Sequence, residues 1–482
     1  LHITPLVVIC HSVAITNEGH TMTASDPGAT TVRYPAALTV LLFASTLGVM
    51  AGAIVSPVLE VIRNDLDVDG TAAGLIITTH GLTIAVASPF IGKLLDRHGV
   101  RIPMGVGLVL FGLGGGAGTF TTSYPALIAS RLVLGLGAAV IFSGTTVALL
   151  ALYRGAQRDR VMGWRTSTTM LGGVAWPLLG GALGGISWHA AFAVYLIGIP
   201  LGIATLLFLP ADSRPVSDTR PPDQVGAIRF LRRYPTLLAW YGLMMLAGIM
   251  LYTLAVFLPQ RLAQIGVEDP FKVSLFAVTS SIASSIVGLI YARVRGRYSY
   301  TALLRTSAAC WVAGFLVLGT ASTPALLFPA IAVFGVGAGL LMTVITILIG
   351  ETPPPEQRGQ ATSLSGTAMF VGQFASPLIF GPLMGATSIT TGYLVAASVC
   401  AVVLIALLLT KVAAPAARDD GTPPADRAEQ PVTVPAGRWA SSDVTAARSC
   451  SAFVQATAAA AARPAIRPEN RQPPRKVPSK DR

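Results

Sequence analysis

Twelve apolar runs succeed one another along the chain, each close to the length a helix needs to cross a bilayer. Roughly 20 apolar residues span the hydrocarbon layer, which is about 30 Å thick. The runs lie at 36–59, 71–91, 102–121, 125–150, 163–184 and 189–209, then at 236–258, 271–293, 301–321, 324–350, 361–384 and 389–411. Composition agrees, with 52% of the residues hydrophobic and 12% charged. Ordinary soluble domains carry about 25% charged residues, so the exterior can be completed only if most of it faces lipid. A soluble enzyme, a disordered scaffold and a secreted disulfide module are excluded.

The net charge of +12 points to nucleic acid only until its distribution is read. Lys and Arg sit in short loops and in the C-terminal stretch rather than on one amphipathic face, so no nucleic-acid partner is expected. Cys10, Cys310, Cys400 and Cys450 are scattered, without metal-ligand spacing or a disulfide framework. No nucleophile triad, metal cluster or phosphate loop is legible, so neither enzyme chemistry nor a metal or cofactor is expected. The glycine-rich GLGGGAG of the third run has no strand before it and reads as a packing face.

The runs divide the chain into an N-terminal arm (1–35), a six-helix bundle (36–209), a polar linker (210–235), a second six-helix bundle (236–411) and a tail without periodicity (412–482). Basic residues alternate with side: Lys93, Arg97 and Arg101, then Arg154, Arg158, Arg160 and Arg165, then Arg214 to Arg233, Arg293 to Arg305, and Arg358 fall on one side. Arg63, Arg261 and Lys272 fall on the other. The positive-inside rule places the first group, and both termini, in the cytoplasm. The expectation is a multi-pass plasma-membrane protein, monomeric, with the lipid bilayer as its surroundings.

An internal repeat links the halves. RLVLGLGAA from Arg131 realigns 200 positions later with IAVFGVGAG from Ile331, and QRDRVMG from Gln157 meets QRGQATS from Gln357. At the same offset GGVAWPLLGG from Gly172 meets GQFASPLIFG from Gly372, and with a four-residue gap GKLLDR from Gly92 meets GLIYAR from Gly288. The fold class is therefore an all-α integral membrane protein, twelve transmembrane helices in two pseudo-symmetric six-helix bundles. Parallel halves of this kind are a recurrent design of secondary transporters, with a substrate site at the seam.

GKLLDRHGVR, Gly92 to Arg101, joins the second and third runs. It reads either as a basic turn or as a gate element. In the second reading Gly92 permits close helix approach, Asp96 sits against a helix N-terminus, and Arg97 and Arg101 pair with carboxylates or lipid phosphate. The segment resembles the G-x-L-x-D-R-x-G-R-R signature of the major facilitator superfamily, matched by Gly92, Leu94, Asp96, Arg97, Gly99 and Arg101, with Val100 for a basic residue. RLVLGLGAA resembles the span-4 motif R-x-x-x-G-x-G-A-A of the 12-span drug:proton antiporters, which implies a role for Arg131 in proton coupling; the alternative is a structural Arg bonded to backbone carbonyls. GGVAWPLLGG resembles the same antiporters' helix-packing motif through Gly172, Pro177, Gly180 and Gly181, with Trp176 for a glycine and a looser contact expected there. WHAAFAVYLIGIPLG, Trp188 to Gly202, and PVLEVIRNDL, Pro57 to Leu66, are similar to the corresponding segments of spans 6 and 1.

No Asp or Glu lies in the middle of any run. The acids at 60, 65, 67 and 69 read as a solvated loop. His80 is a proton relay or simply a satisfied polar residue. Without a buried carboxylate, a neutral or anionic substrate fits better than a cation. Tyr241, Met245, Gly248 and Tyr252 share one helical face and read as a cavity wall or as ordinary packing, with Thr343 and Thr346 as further cavity candidates. The resemblance implies a secondary active transporter that exports a small amphipathic drug or metabolite in exchange for protons. The alternatives are an importer or facilitator of a sugar or metabolite, and a transporter-like sensor or scaffold.

Overall fold

Helix starts in this chain are written in its small polar residues and prolines. Asp69, Asp269, Ser299 and Ser388 cap the helices that follow by accepting a backbone N–H three residues on, as N-cap side chains do. Proline occupies the first turn of the helices beginning at Pro35, Tyr124, Pro270 and Pro324, where its missing N–H costs nothing. The computed structural model describes residues 34–210, 227–354 and 357–410. The expected arm and tail, and most of the linker, lie outside the described residues.

The twelve spans run Pro35–Asp65, Gly70–His98, Arg101–Thr119, Tyr124–Leu152, Gly155–Gly184 and Trp188–Phe208. The second six are Thr236–Gln264, Pro270–Arg295, Tyr300–Thr320, Pro324–Glu351, Arg358–Ala386 and Ile389–Leu409. Eleven are apolar enough to cross a membrane on composition alone. The exception is span 5, Gly155–Gly184, which carries Arg158, Asp159, Arg160 and Arg165 in its first eleven residues and is rich in Gly, Ser and Thr beyond them. Several boundaries differ from expectation. Span 1 runs on to Asp65 instead of 59, and span 2 to His98 instead of 91. Span 5 begins eight residues before the predicted 163, and span 7 runs on to Gln264 instead of 258. A short helix, Ala227–Arg233, stands inside the stretch read as linker and buries Phe230.

Packing repeats from half to half. Span 1 lies on spans 4 and 5 as span 7 lies on 10 and 11, and span 3 lies on 4 and 6 as span 9 lies on 10 and 12. Span 2 packs on span 11, and span 5 on span 8, so the two most extensive contacts between halves are themselves symmetry mates. The offset of 200 survives at the level of contacts. A methyl group at Gly135 would lie 2.7 Å from the His80 carbonyl oxygen, and one at Gly335 would lie 2.5 Å from that of Ser280. Arg101 donates from Nε to the Leu206 carbonyl at 2.8 Å, and Arg305 donates to the Leu407 carbonyl at 2.8 Å. Each arginine thereby holds the end of its half's last span, where a cation also complements the helix dipole.

The halves meet from the end carrying Asp69 to the middle of the bundle. Ser56 Oγ donates to the Ala255 carbonyl at 2.7 Å. A methyl at Gly74 would sit 2.5 Å from Pro377 Cβ, and one at Gly181 would sit 2.6 Å from the Pro270 carbonyl oxygen. Deepest is Phe142 of span 4, edge-on to Phe370 of span 11 with centroids 5.6 Å apart. Toward the opposite end, which carries Asp96, a methyl at Gly92, Gly163, Gly359 or Gly366 would meet nothing within 4 Å. Phe90, Leu94 and Trp164 are exposed there. The bundle is shut at the Asp69 end and open at the Asp96 end.

Candidate functional site

Glycines place Arg131. Span 4 is drawn onto span 3 because Gly114 and Gly137 bring backbone against backbone; a methyl on Gly114 would lie 2.5 Å from the Leu134 nitrogen. Arg131 is thereby sunk into the first half and fully buried. Its Nη2 donates to the Gly115 carbonyl at 2.9 Å and to that of Gly114 at 3.4 Å. The guanidinium carbon lies 4.8 Å from the Phe192 ring centre and 5.2 Å from that of Tyr195, within cation–π range. Nε and Nη1 have no hydrogen-bond partner among the described residues. A buried guanidinium with open donors is expensive to hold.

His80 stands next to it, because Gly135, one turn beyond Arg131, lets span 4 ride directly on the His80 backbone. The imidazole is buried, and its Nε2 is 3.3 Å from Gln373 Nε2 across the seam. Nδ1 has no partner. The Gln373 side chain also fills the notch above Gly81, where a methyl would be 2.9 Å from its Cδ. Tyr195 donates its hydroxyl to the Ala51 carbonyl at 2.8 Å. Tyr252 brings its hydroxyl 3.4 Å from a methyl placed on Gly52, which would itself be 3.5 Å from His80 Cε1. Sequence reasoning singled out Arg131, His80 and Tyr252 separately. It missed Gln373 and Tyr195, although Gln373 directly follows the repeat glycine Gly372. At the repeat positions of Arg131 and His80 the second half has Ile331 and Ser280, so the same scaffold carries ionisable groups in one half and none in the other.

The gate segment lies at the open end. Gly99 turns the chain with φ of 72°, a conformation that favours glycine. Asp96 and Arg97 are exposed, and neither forms an ion pair among the described residues. Two expectations change here. Gly92 makes no close helix approach, since its face of span 2 is parted from its neighbours. Arg101 is engaged inside its own half, by the Leu206 carbonyl, rather than with a carboxylate or phosphate.

The span 5 motif lies at the shut end. A methyl on Gly180 would overlap the Ile54 carbonyl, and one on Gly172 would be 2.9 Å from Thr46 Cβ. Gly181 faces Pro270 and Ser274 of span 8, as its repeat mate Gly381 faces Thr71 of span 2. Pro177 is buried within the helix. The looser contact expected at Trp176 is absent, because its indole N–H donates to the Thr46 carbonyl at 3.0 Å and its ring stands edge-on to Phe43.

The acids of the first loop are not merely solvated: Glu60 pairs with Arg63, Asp65 accepts from the Trp188 indole at 2.9 Å, and Asp69 caps span 2. Arg261, placed in a loop by the sequence, is buried in the last turn of span 7 and donates to the Leu318 and Ala321 carbonyls.

Span 7 divides the proposed cavity wall. Gly248 is pressed beneath the Met369 carbonyl of span 11, which turns Tyr241 into the same contact, where it donates to the Ala361 carbonyl at 2.9 Å. Tyr241 is therefore packing rather than wall. Met245 is on the same face, its backbone carbonyl against Gly372 of span 11, and its side chain is left 40% exposed. Thr346 is exposed and Thr343 half-buried, each with its hydroxyl returned to the carbonyl four residues back.

Comparison with known proteins agrees with this architecture. The chain is 26% identical over 393 residues to the multidrug efflux protein YfmO of Bacillus subtilis (strain 168), covering 78% of this chain and 93% of that protein. It is 24% identical over 363 residues to multidrug resistance protein 1 of the same strain, covering 72% and 88%. The multidrug efflux pump SdrM of Staphylococcus aureus (strain N315) is 29% identical over 174 residues, a stretch that spans 37% of SdrM and 36% of this chain. Among solved structures, the nucleoside transporter NupG superposes with a TM-score of 0.61 at 16% identity, over 78% of this chain and 97% of NupG. The family model of the Major Facilitator Superfamily matches twice, at residues 41–268 and 245–466, once for each half. This multi-pass membrane chain, two six-helix halves built to one plan, belongs to the Major Facilitator Superfamily.

Proposed function

We propose that the chain exports a small, uncharged amphipathic molecule from the cytoplasm by alternating access, in exchange for protons. One observation carries this reading: the glycines of the exporter-like motif in span 5, Gly180 and Gly181, lie at the shut end, against spans 1 and 8. A bundle shut there and open at the basic, Asp96-bearing end is in the state that receives cargo from the cytoplasm. The names of YfmO and SdrM, both efflux proteins, support the direction.

In this reading the Asp96 end and both termini are cytoplasmic, the protein works as a monomer in the plasma membrane, and Asp96 and Arg97 latch the inner side when it closes. Met245, Thr343 and Thr346 contribute to the cavity. Arg131 and His80 lie beside the seam that must part for release. A proton on His80 Nε2 removes the acceptor that meets the Gln373 amide across the seam, so protonation and closure of that end compete for the same nitrogen.

A second reading, an uncoupled facilitator in which Arg131 only ties span 4 to span 3, is favoured by its bond to the Gly115 carbonyl. Inside-out vesicles energised to an acidic interior separate the two. The expected result is that at least one amphipathic compound releases protons from wild-type but not from Arg131→Met vesicles. Movement of radiolabelled compound with no proton release from either would establish the facilitator.

A further inference from the structure

The short helix Ala227–Arg233 has two faces. At about 100° per residue, Arg229, Arg232 and Arg233 fall within an arc of about 100°, and all three side chains are exposed. Phe230 and Leu231 fall on the other side, joined there by Tyr234 one turn beyond Phe230. Phe230 is 1% exposed and belongs to the apolar core, with Leu231 and Tyr234 packed against it. The Phe230 and Tyr234 rings have their centres 5.3 Å apart. The apolar side thus fixes the helix to the bundle and turns the arginines away from it.

Span 7 sets the level at which they stand. Its 29 residues make a helix about 43 Å long at about 1.5 Å per residue. That exceeds the hydrocarbon layer of about 30 Å and matches the roughly 40–45 Å of hydrocarbon and headgroups together. Thr236, its first residue, therefore lies in the headgroup layer. Between helix and span there is only a tight turn at Pro235, closed by the Leu237 N–H donating to the Tyr234 carbonyl at 3.0 Å. Arg232 and Arg233 are brought to the depth of the lipid phosphates.

No protein group cancels their charge. No Asp or Glu occurs from Gln224 to Val267, and none of the three forms an ion pair among the described residues. Arg233 lies 5.9 Å from the Tyr234 ring centre, a contact that steadies a charge without neutralising it. Other arginines of the same end are differently placed. Arg101, Arg305 and Arg295 hold backbone carbonyls, while Arg158 and Arg160 flank Asp159 and Arg97 follows Asp96. Each guanidinium can take two oxygens of one phosphate. Three on one face at one level call for several phosphodiester anions side by side, which an acidic lipid leaflet supplies. In a zwitterionic leaflet each phosphate already has its own cation.

We propose that Ala227–Arg233 is an interfacial anchor that binds the headgroups of anionic phospholipid through Arg229, Arg232 and Arg233. The anchor requires that span 7 lie in a bilayer, and it rests on neither the direction nor the coupling of transport.

The probe is dansyl-phosphatidylglycerol, titrated into the full-length chain in zwitterionic detergent and read by energy transfer from tryptophan. Each of Arg229→Gln, Arg232→Gln and Arg233→Gln should weaken binding about fivefold, and the triple variant roughly twentyfold or more. Because the positions are exposed, the melting temperature should match that of the parent. The triple Lys variant should keep most of the affinity. Arg154→Gln/Arg158→Gln/Arg160→Gln, which removes the same charge from the same end, should bind within about twofold of the parent.

Equal loss in the two Gln triples would show a general effect of basic charge and overturn the anchor. Binding of dansyl-phosphatidylcholine as tight as that of the glycerol lipid overturns it too. A Lys triple as weak as the Gln triple would make the contact one of side-chain packing, against the proposal. Displacement of the lipid by an equal concentration of glycerol 3-phosphate would mark a soluble-phosphate site instead of a lipid surface.

Discussion

Gln373 reaches across the seam to His80, 3.3 Å from its Nε2, while the flank of the same side chain fills the notch above Gly81. One residue of the second half thus occupies both a polar and a steric position on the first. Gly81→Val should hold spans 2 and 11 apart and reduce transport by about an order of magnitude or more, since a buried clash of this size costs roughly 1–3 kcal/mol. Gln373→Ala in the same chain should restore part of the loss. Equal defects in Gly81→Val and the double variant, measured as initial efflux rate in vesicles, would show that the notch is not where the clash arises.

Gly92 and Gly180 predict opposite outcomes for the same substitution. Gly92→Ala meets open space, so its melting temperature should match wild type, with a stability change within about 0.5 kcal/mol. Its efflux should nevertheless fall, because the close approach that the signature glycine serves belongs to the form closed at the Asp96 end. Gly180→Ala drives a methyl into the Ile54 carbonyl, which cannot turn aside as a flexible side chain can. It should lower the melting temperature and the yield of folded protein, both read by size-exclusion chromatography on heating.

Trp176→Phe keeps most of the ring volume and removes the bond to Thr46, a loss of about 1 kcal/mol. Trp176→Gly, which installs the residue usual in the resembling motif, should cost roughly 3–5 kcal/mol through the void it leaves. If the glycine variant were as stable as the phenylalanine one, span 1 would have to be free to move in, and its position here would be less determined than its contacts indicate.

Arg101 and Arg305 test the independence of the halves. Each holds the end of a different last span, so removing either should cost about 1–3 kcal/mol. Their effects should add within about 0.5 kcal/mol in the double Ala variant, as they do for sites without shared partners. A double variant markedly less stable than the sum, by thermal melting in detergent, would mean that the halves unfold cooperatively through the seam.

Much of this architecture is legible in the sequence, for identifiable reasons. Spans are set by hydropathy and length, and the repeat by glycines whose spacing the packing fixes, so Gly135 and Gly335 announce equivalent contacts before any coordinates exist. What the sequence does not carry is rotation about a helix axis. Span 7 is apolar on most of its circumference, and nothing in that pattern says that the face of Tyr241, Met245 and Gly248 meets span 11, where Tyr241 is buried while the Met245 side chain stays 40% exposed. The same holds for end residues: Asp65, Trp188 and Arg261 acquire partners more than fifty positions away, and no local pattern names them. Arg131 and His80 could be singled out one by one, but their adjacency depends on Gly135, and the place of Gln373 depends on a seam the sequence does not describe.

A seam built on glycines is also an unusual way to shut a door. Where Gly74, Gly181 and Gly381 carry the contact between the halves, the seam has no interlocking side chains at those points, so the faces can part without unlocking them. Such a seam comes apart cleanly and recloses in the same register, more like two polished plates than like interlocked teeth. The free energy between the two arrangements can then stay within the few kcal/mol that one bound small molecule or one transferred proton supplies.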